Sequence, residues 1–212
     1  MEQSIKKKEF QAVIKGLHVL FTFLFVMLCL SMVVFIGLSI VVGVIPTEGV
    51  MNVMEKGQLS ATLHISGLEI ALNQSAVQNF VYDKSTVLWI FILCLFNITM
   101  VTFIVFLVKN MLKGIIKGEV FSVANSKRMA YIGYMIVVLS LTIHSMQAYV
   151  IYAISTLFQL QLQFEQTAWI ESVNYQIFGI HWSMLLCGLV VWTIGRIFKY
   201  GSFLQEEYDA TV

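Results

Sequence analysis

The chain has 212 residues, 58% of them apolar and only 12% charged, with thirteen basic and twelve acidic residues. A soluble domain carries about a quarter charged residues, so this composition points away from one and toward a single integral membrane unit, too short for a second large domain. The net charge of +1 gives no reason to expect direct nucleic-acid binding, because the charges are segregated by segment and not pooled.

Residues 1–15 are polar, with Lys6, Lys7, Lys8 and Lys15 ahead of the first apolar run. That run, Leu17 to Ile45, is far longer than the core of a signal peptide and no A-x-A-like site follows it, so it reads as a retained span. As a helix it would measure about 43 Å against a hydrocarbon core of about 30 Å, so it must tilt or project before Pro46 ends it. Ser39 and Gly43 form a small-xxx-small pair that would admit another helix.

Thr47 to Ser85 is the longest polar interval and carries only Lys56 and Lys84 as cations. From Thr62 to Leu72 apolar and polar residues alternate on either side of Ser66-Gly67, which is a hairpin signal. A lone hairpin is marginal in water, so it should pack on a neighbour as part of a small outer cap, residues 47–85 with 159–175. Asn73-Gln74-Ser75 fits a glycosylation sequon, read here as a chance tripeptide.

Thr86 to Val108 is the second expected span, with Trp89 at its outer edge. It leads into the segment that orients the chain, Lys109 to Tyr134. Lys109, Lys113, Lys117, Lys127 and Arg128 lie there against one acid, Glu119. Lys109, Lys113 and Lys117 fall on one helical face and Leu112, Ile115 and Ile116 on another, an amphipathic extension expected to end near Gly118. Ser122 is placed to cap the next helix, with Asn125 three positions on. Two readings of this loop stay open: a docking platform for a cytosolic partner, or a topology determinant held to anionic lipid.

Ala130 to Phe158 is the third span. The following QLQLQFE is either a further outer strand or the frayed end of that helix. Tyr175 to Phe198 is the fourth span, with Trp182 near its outer end and Tyr200 just past its inner end. Arg196 and Lys199 mark the return inside, and the tail from Gly201 is short and acidic. Eleven of the thirteen Lys and Arg lie in the amino-terminal segment, the middle loop or the carboxyl end. Short basic segments stay inside, so both termini are expected to be cytoplasmic.

Counted from the span ends, Asn97 and His144 fall near the bilayer midplane, and Ser140, His144 and Gln147 share a face of the third helix. Polar groups at that depth need partners within the bundle, and Asn97 and His144 are placed to pair directly. A titrating His144 site is one reading. Interhelical packing contacts are the favoured one, because no Asp, Glu, Lys or Arg sits at that depth. His18 and His181 are expected at opposite interfaces, too far apart to join His144 around a metal. Cys29, Cys94 and Cys187 each sit in a different apolar run, an odd set that forms no disulfide framework. There is no P-loop, HExxH, CxxC, GxSxG or dinucleotide fingerprint, so neither catalysis nor a cofactor or metal is expected.

Two stretches carry a resemblance. Ile116-Lys-Gly-Glu-Val-Phe-Ser122 with Asn125, Lys127-Arg128 and Ile132-Gly133-Tyr134 resembles the middle loop of the bacterial membrane family called domain of unknown function 2975. Ile197-Phe-Lys-Tyr-Gly201, Leu204-Gln-Glu-Glu207 and Asp209-Ala-Thr-Val212 resemble its carboxyl terminus. The four-span layout is similar too, so the likeness covers nearly the whole chain. Val120 stands where a proline is common and Ala210 where leucine is usual. The family has no established activity; its members often lie beside a very small helix-turn-helix regulator, which implies a regulatory pairing.

The expected architecture is an all-α, four-span bundle with both termini inside and a small hairpin-containing outer cap. The leading expectation for function is a membrane-bound regulatory or sensory protein that presents its middle loop and tail to that cytosolic regulator. The contact would use Lys117, Phe121, Ser122, Asn125, Lys127 and Arg128 with Gln205, Glu206, Glu207 and Asp209. An immunity protein against membrane-active peptides is the alternative, and a small transporter comes third. Homo-oligomerisation stays open beside the lipid bilayer as a partner.

Overall fold

A computed structural model describes residues 2–50, 61–65, 68–72, 80–160, 176 and 178–211. Four long helices dominate it: α1 (Glu2–Val44), α2 (Lys84–Ile116), α3 (Val123–Leu157) and α4 (Trp182–Thr211). Each contains a stretch long and apolar enough to cross a membrane, so the chain is a multi-pass membrane protein. Strands β1 (Ala61–Ile65) and β2 (Leu68–Leu72) pair antiparallel, from Ala61 opposite Leu72 to Ile65 opposite Leu68.

The helices outrun the apolar runs that announce them. α1 starts at Glu2, well before Leu17, and stops at Val44, one residue short of the pair Ile45-Pro46. The proline explains the stop, since it pushes the residue before it out of the helical region. α3 begins at Val123 and not at Ala130. α4 begins at Trp182, seven residues later than Tyr175, and continues unbroken through the acidic tail to Thr211. Backbone hydrogen bonds propagate along a helix whatever the polarity of its surroundings, so hydropathy marks the spans and not the helix ends.

Asp83 opens α2. Its carboxylate accepts the backbone N–H groups of Ser85 and Thr86, both at 3.1 Å, and the Thr86 hydroxyl as well. These bonds satisfy donors that a helix start leaves without partners. The Thr86 hydroxyl has the largest influence and, with the two amides, holds the Asp83 pKa below the ordinary carboxylate value against the opposing effect of desolvation.

The described chain divides into two compact units. One comprises Met1–Val34, Leu95–His144 and Ile180–Val212; the other comprises Phe35–Cys94 and Ser145–Gly179. In the second unit Phe80 is buried against Phe158, ring centroids 5.1 Å apart, and the Val81 N–H donates to the Leu157 carbonyl at 2.7 Å. α3 ends there in a turn with Gln159 at φ 49°, a left-handed residue closing the helix. This places Phe158 and Gln159 at a helix end; Leu160 is buried, and residues 161–175 lie outside the described set, as do the hairpin's Ser66-Gly67.

The first unit is organised by a seam between α3 and α4. Ser126, Gly133 and Ser140 recur every seven residues on α3, and Gly188, Gly195 and Ser202 do so on α4; all six are buried. Small residues let helix backbones come together without a hydrophobic driving force, and a seven-residue spacing keeps them on one left-handed crossing. A Cβ on Gly133 would lie 2.6 Å from the Trp192 nitrogen, one on Gly188 2.9 Å from that of Val137, and one on Gly195 2.8 Å from that of Ala130. The Ser126 hydroxyl donates to the Gly195 carbonyl at 2.9 Å, and the His181 N–H to the Ser140 carbonyl at 3.0 Å. By contrast, a Cβ on Gly43 would meet nothing within 4 Å, so the close approach expected at Ser39 and Gly43 occurs at this seam instead.

α1 joins the unit through ring and sulfur contacts. Phe25 packs on Phe106 at 5.8 Å, and the Thr102 hydroxyl lies 3.7 Å from the Met32 sulfur. Many other described apolar side chains of α1, among them Val19, Phe23, Leu30 and Val33, face outward, which suits a bilayer and not water. The three cysteines are free.

Candidate functional site: the basic turn between α2 and α3

α2 stops at a glycine that only a glycine fits comfortably. Gly118 has φ +90°; its N–H donates to the Ile115 carbonyl at 3.0 Å, and the Glu119 N–H reaches back to Gly114 at 3.1 Å. This paired pattern is a Schellman closure, and it satisfies carbonyls the helix end would leave open. Four residues after Gly118, the Ser122 hydroxyl accepts the Asn125 N–H at 3.2 Å and caps α3. Both the stop and the cap sit where the sequence placed them.

Asn125 locks the turn between these two ends. Its side chain is buried, 1% exposed. Nδ2 donates to the Glu119 carbonyl at 2.6 Å and, more weakly, to that of Val120 at 3.4 Å, while Oδ1 accepts Arg128 at 2.8 Å. The same Arg128 nitrogen donates to the Asn110 carbonyl on α2 at 3.2 Å. Room for the amide comes from Gly114, where an added Cβ would stand 3.0 Å from both Nδ2 and Oδ1. Ser122, Asn125 and Arg128 therefore build the turn, and their polar atoms face inward.

Three of the expected contact residues on the turn remain outward. Lys117 and Lys127 are exposed, and Phe121 keeps half its surface open while its ring lies 5.0 Å from that of Phe198. Gly201 makes room for that ring, its virtual Cβ 3.4 Å from Phe121 Cδ1. Phe121 thus ties the turn to α4. Lys113, Lys117, Glu119 and Arg128 line, with Asn110 and Gly114, a cleft of about 270 Å³ beside the turn. Lys109 is engaged elsewhere, its ammonium 4.4 Å from the centre of the Phe25 ring. Glu206 and Glu207 are exposed on the continuing α4 helix, and the side chains of Gln205 and Asp209 lie outside the described set.

The intramembrane polar residues are arranged differently from the expectation. Asn97 is buried, and its Oδ1 accepts the Thr142 hydroxyl at 3.1 Å; the cross-helix partner is Thr142 and not His144. The His181 N–H donates to the Ser140 carbonyl at 3.0 Å, which places His181 about one helical turn from His144 along α3, nearer to it than expected. Ser140 is fully buried, His144 half-buried and Gln147 exposed, so the shared face opens outward along the helix.

Thr142 carried no signal of its own, since a mid-helix threonine commonly bonds its own backbone, as Thr102 does to Ile98. The glycine and serine spacing of seven was present in the sequence and would have located the seam.

The family described as Protein of unknown function (DUF2975) matches residues 70–212. The chain belongs to that family. The match takes in α2, the basic turn, α3 and α4, and leaves α1 outside, a narrower coverage than the resemblance suggested. No curated protein matches the chain, and no solved structure does.

Proposed function

We propose that this DUF2975 protein is a bacterial cytoplasmic-membrane regulator that offers its basic turn, with the helical acidic tail beside it, to a small cytosolic helix-turn-helix partner. Both termini and the turn face the cytoplasm in this reading, on the strength of the charge distribution. The hairpin and residues 159–175 belong to an outer cap.

One observation supports it above the others. A loop that only fixed topology would need charge alone, yet this turn is held by a glycine stop, a serine cap and a buried asparagine. That framework leaves Phe121 half exposed between two outward lysines. An apolar anchor on a rigid backbone, ringed by charge, is the arrangement that protein contacts favour.

Co-purification with the neighbouring regulator tests it. Wild type should retain the regulator in detergent; Phe121→Ala should lose it with topology unchanged, and Lys117→Glu with Lys127→Glu should weaken capture. A regulator that never co-purifies, or that binds every variant equally, would reduce the turn to a topology device and favour the immunity reading. Orientation is checked separately in a cysteine-free background. A cysteine at Gln58 should label from outside intact cells and one at exposed Lys127 should not.

A further inference from the structure

Beside the seam, α3 and α4 each carry a stripe at spacing i, i+4, i+7: Lys127, Tyr131 and Tyr134 on one, Trp192, Arg196 and Lys199 on the other. The helices are antiparallel here, with Gly133 against Trp192 and Gly195 against Ala130, so the stripes run in opposite senses. Lys127 and Lys199 meet at one end, and Tyr134 and Trp192 at the other. Together the six line a groove of about 200 Å³. Its floor is aromatic, the Tyr134 and Trp192 rings 6.2 Å apart, and the Arg196 guanidinium lies 5.0 Å from the Trp192 ring. Among the described residues, three cations and no carboxylate line it.

The groove therefore changes character over about 10 Å of helix, from charge at the end near the basic turn to rings further in. That is the polarity profile of a phospholipid from its phosphate to its glycerol and upper acyl chains. A free anion would call for a polar cradle throughout; here three of the ten lining residues are aromatic and clustered toward one end. Arg196, lying over Trp192, is directed by cation–π attraction in a way a randomly placed surface cation is not. Basic pockets between spanning helices are where anionic headgroups bind.

We propose that this groove is a site for an anionic phospholipid, its phosphate among Lys127, Arg196 and Lys199 and its glycerol backbone against Tyr131, Tyr134 and Trp192. The site shares Lys127 but not Phe121 or Lys117 with the surface proposed for the regulator, and its occupant would press on both helices of the seam. Lipid composition would thereby bias how α3 and α4 sit together.

The test is native mass spectrometry of the full chain in detergent, titrated in parallel with phosphatidylglycerol, phosphatidylcholine and inorganic phosphate. One phosphatidylglycerol should be retained per chain at concentrations where phosphatidylcholine is lost and inorganic phosphate fails to displace it. Arg196→Gln with Lys199→Gln should weaken retention about 30-fold, and Lys127→Gln alone about fivefold. Lys113→Gln with Lys117→Gln, the same loss of charge outside the groove, should change it by less than about threefold. If the Arg196/Lys199 variant does not fold, the Lys127 variant still decides. Equal losses in groove and control variants, or equal retention of phosphatidylcholine, would overturn the site. Displacement by inorganic phosphate at matched concentration would make it a free-anion site and overturn the lipid assignment. Phe121→Ala should leave retention unchanged, so failure here and failure of regulator capture are read independently.

Discussion

Gly133 lies directly under Trp192: a Cβ on the glycine would sit 2.6 Å from the tryptophan's backbone nitrogen and 2.7 Å from its Cα and Cβ. No side-chain adjustment relieves contacts made to backbone. Gly133→Ala must push α3 and α4 apart, and overpacking of this kind costs about 1–3 kcal/mol. Thermal unfolding in detergent should show Gly133→Ala and Gly195→Ala clearly destabilised. Gly43→Ala is the control: it meets open space within α1 and removes a poor helix former, so it should be neutral or stabilising by up to about 1 kcal/mol.

The Asn125 lock makes a sharper prediction than its burial alone. Asn125→Ala leaves the Glu119 carbonyl and Arg128 without their shared partner, a loss of about 1–3 kcal/mol. Asn125→Asp keeps an acceptor for Arg128 but points a carboxylate oxygen at the carbonyls of Glu119 and Val120. It should therefore be at least as damaging as the alanine at neutral pH, despite its nearly identical shape. Hydrogen exchange at residues 117–128 would report both, with protection lost at the turn before the bodies of α2 and α3.

How much of this was legible beforehand depended on whether the signal was local. Gly118 and Ser122 announced a helix stop and a cap through chemistry confined to a few neighbouring residues, and the turn formed as they implied. The four spans were legible because a run of apolar side chains needs no partner to be recognised. Trp182 as the start of α4 was not, because residues before it are as apolar as those after, and only the bond from His181 to Ser140 fixes the level. The partner of Asn97 was not legible either, because it depends on which face of α3 meets α2. Asn125 was visible as a patterned residue, but its inward orientation depends on Gly114, eleven positions away on another helix.

Thr142 as the partner of Asn97 can be separated from His144 by double-mutant cycles. Asn97→Leu and Thr142→Val should couple by about 0.6 kcal/mol, the usual worth of an interhelical hydrogen bond in a membrane protein. Asn97→Leu and His144→Leu should show no coupling. Coupling to His144 in place of Thr142 would restore the direct pairing and with it the case for a titrating site.

Asp83, just outside the spans, gives a pH dependence with a defined sign. Its pKa is lowered in the folded chain, chiefly by the Thr86 hydroxyl, so folding favours the carboxylate. The contribution is present in full above the unfolded value of about 3.9 and is lost as pH falls through the lower folded value. The group is exposed, so the pH-dependent part is small; the larger quantity is the cap itself, about 1 kcal/mol on replacement by alanine. Asp83→Ala should fray the start of α2 at every pH. Asp83→Asn keeps an acceptor for the Ser85 and Thr86 amides and should hold the cap while abolishing the acid-side change. Hydrogen exchange at residues 85–88, followed from pH 7 down to pH 3, distinguishes them. A wild-type profile that matches Asp83→Asn throughout would mean the charge contributes nothing and the cap works through shape alone.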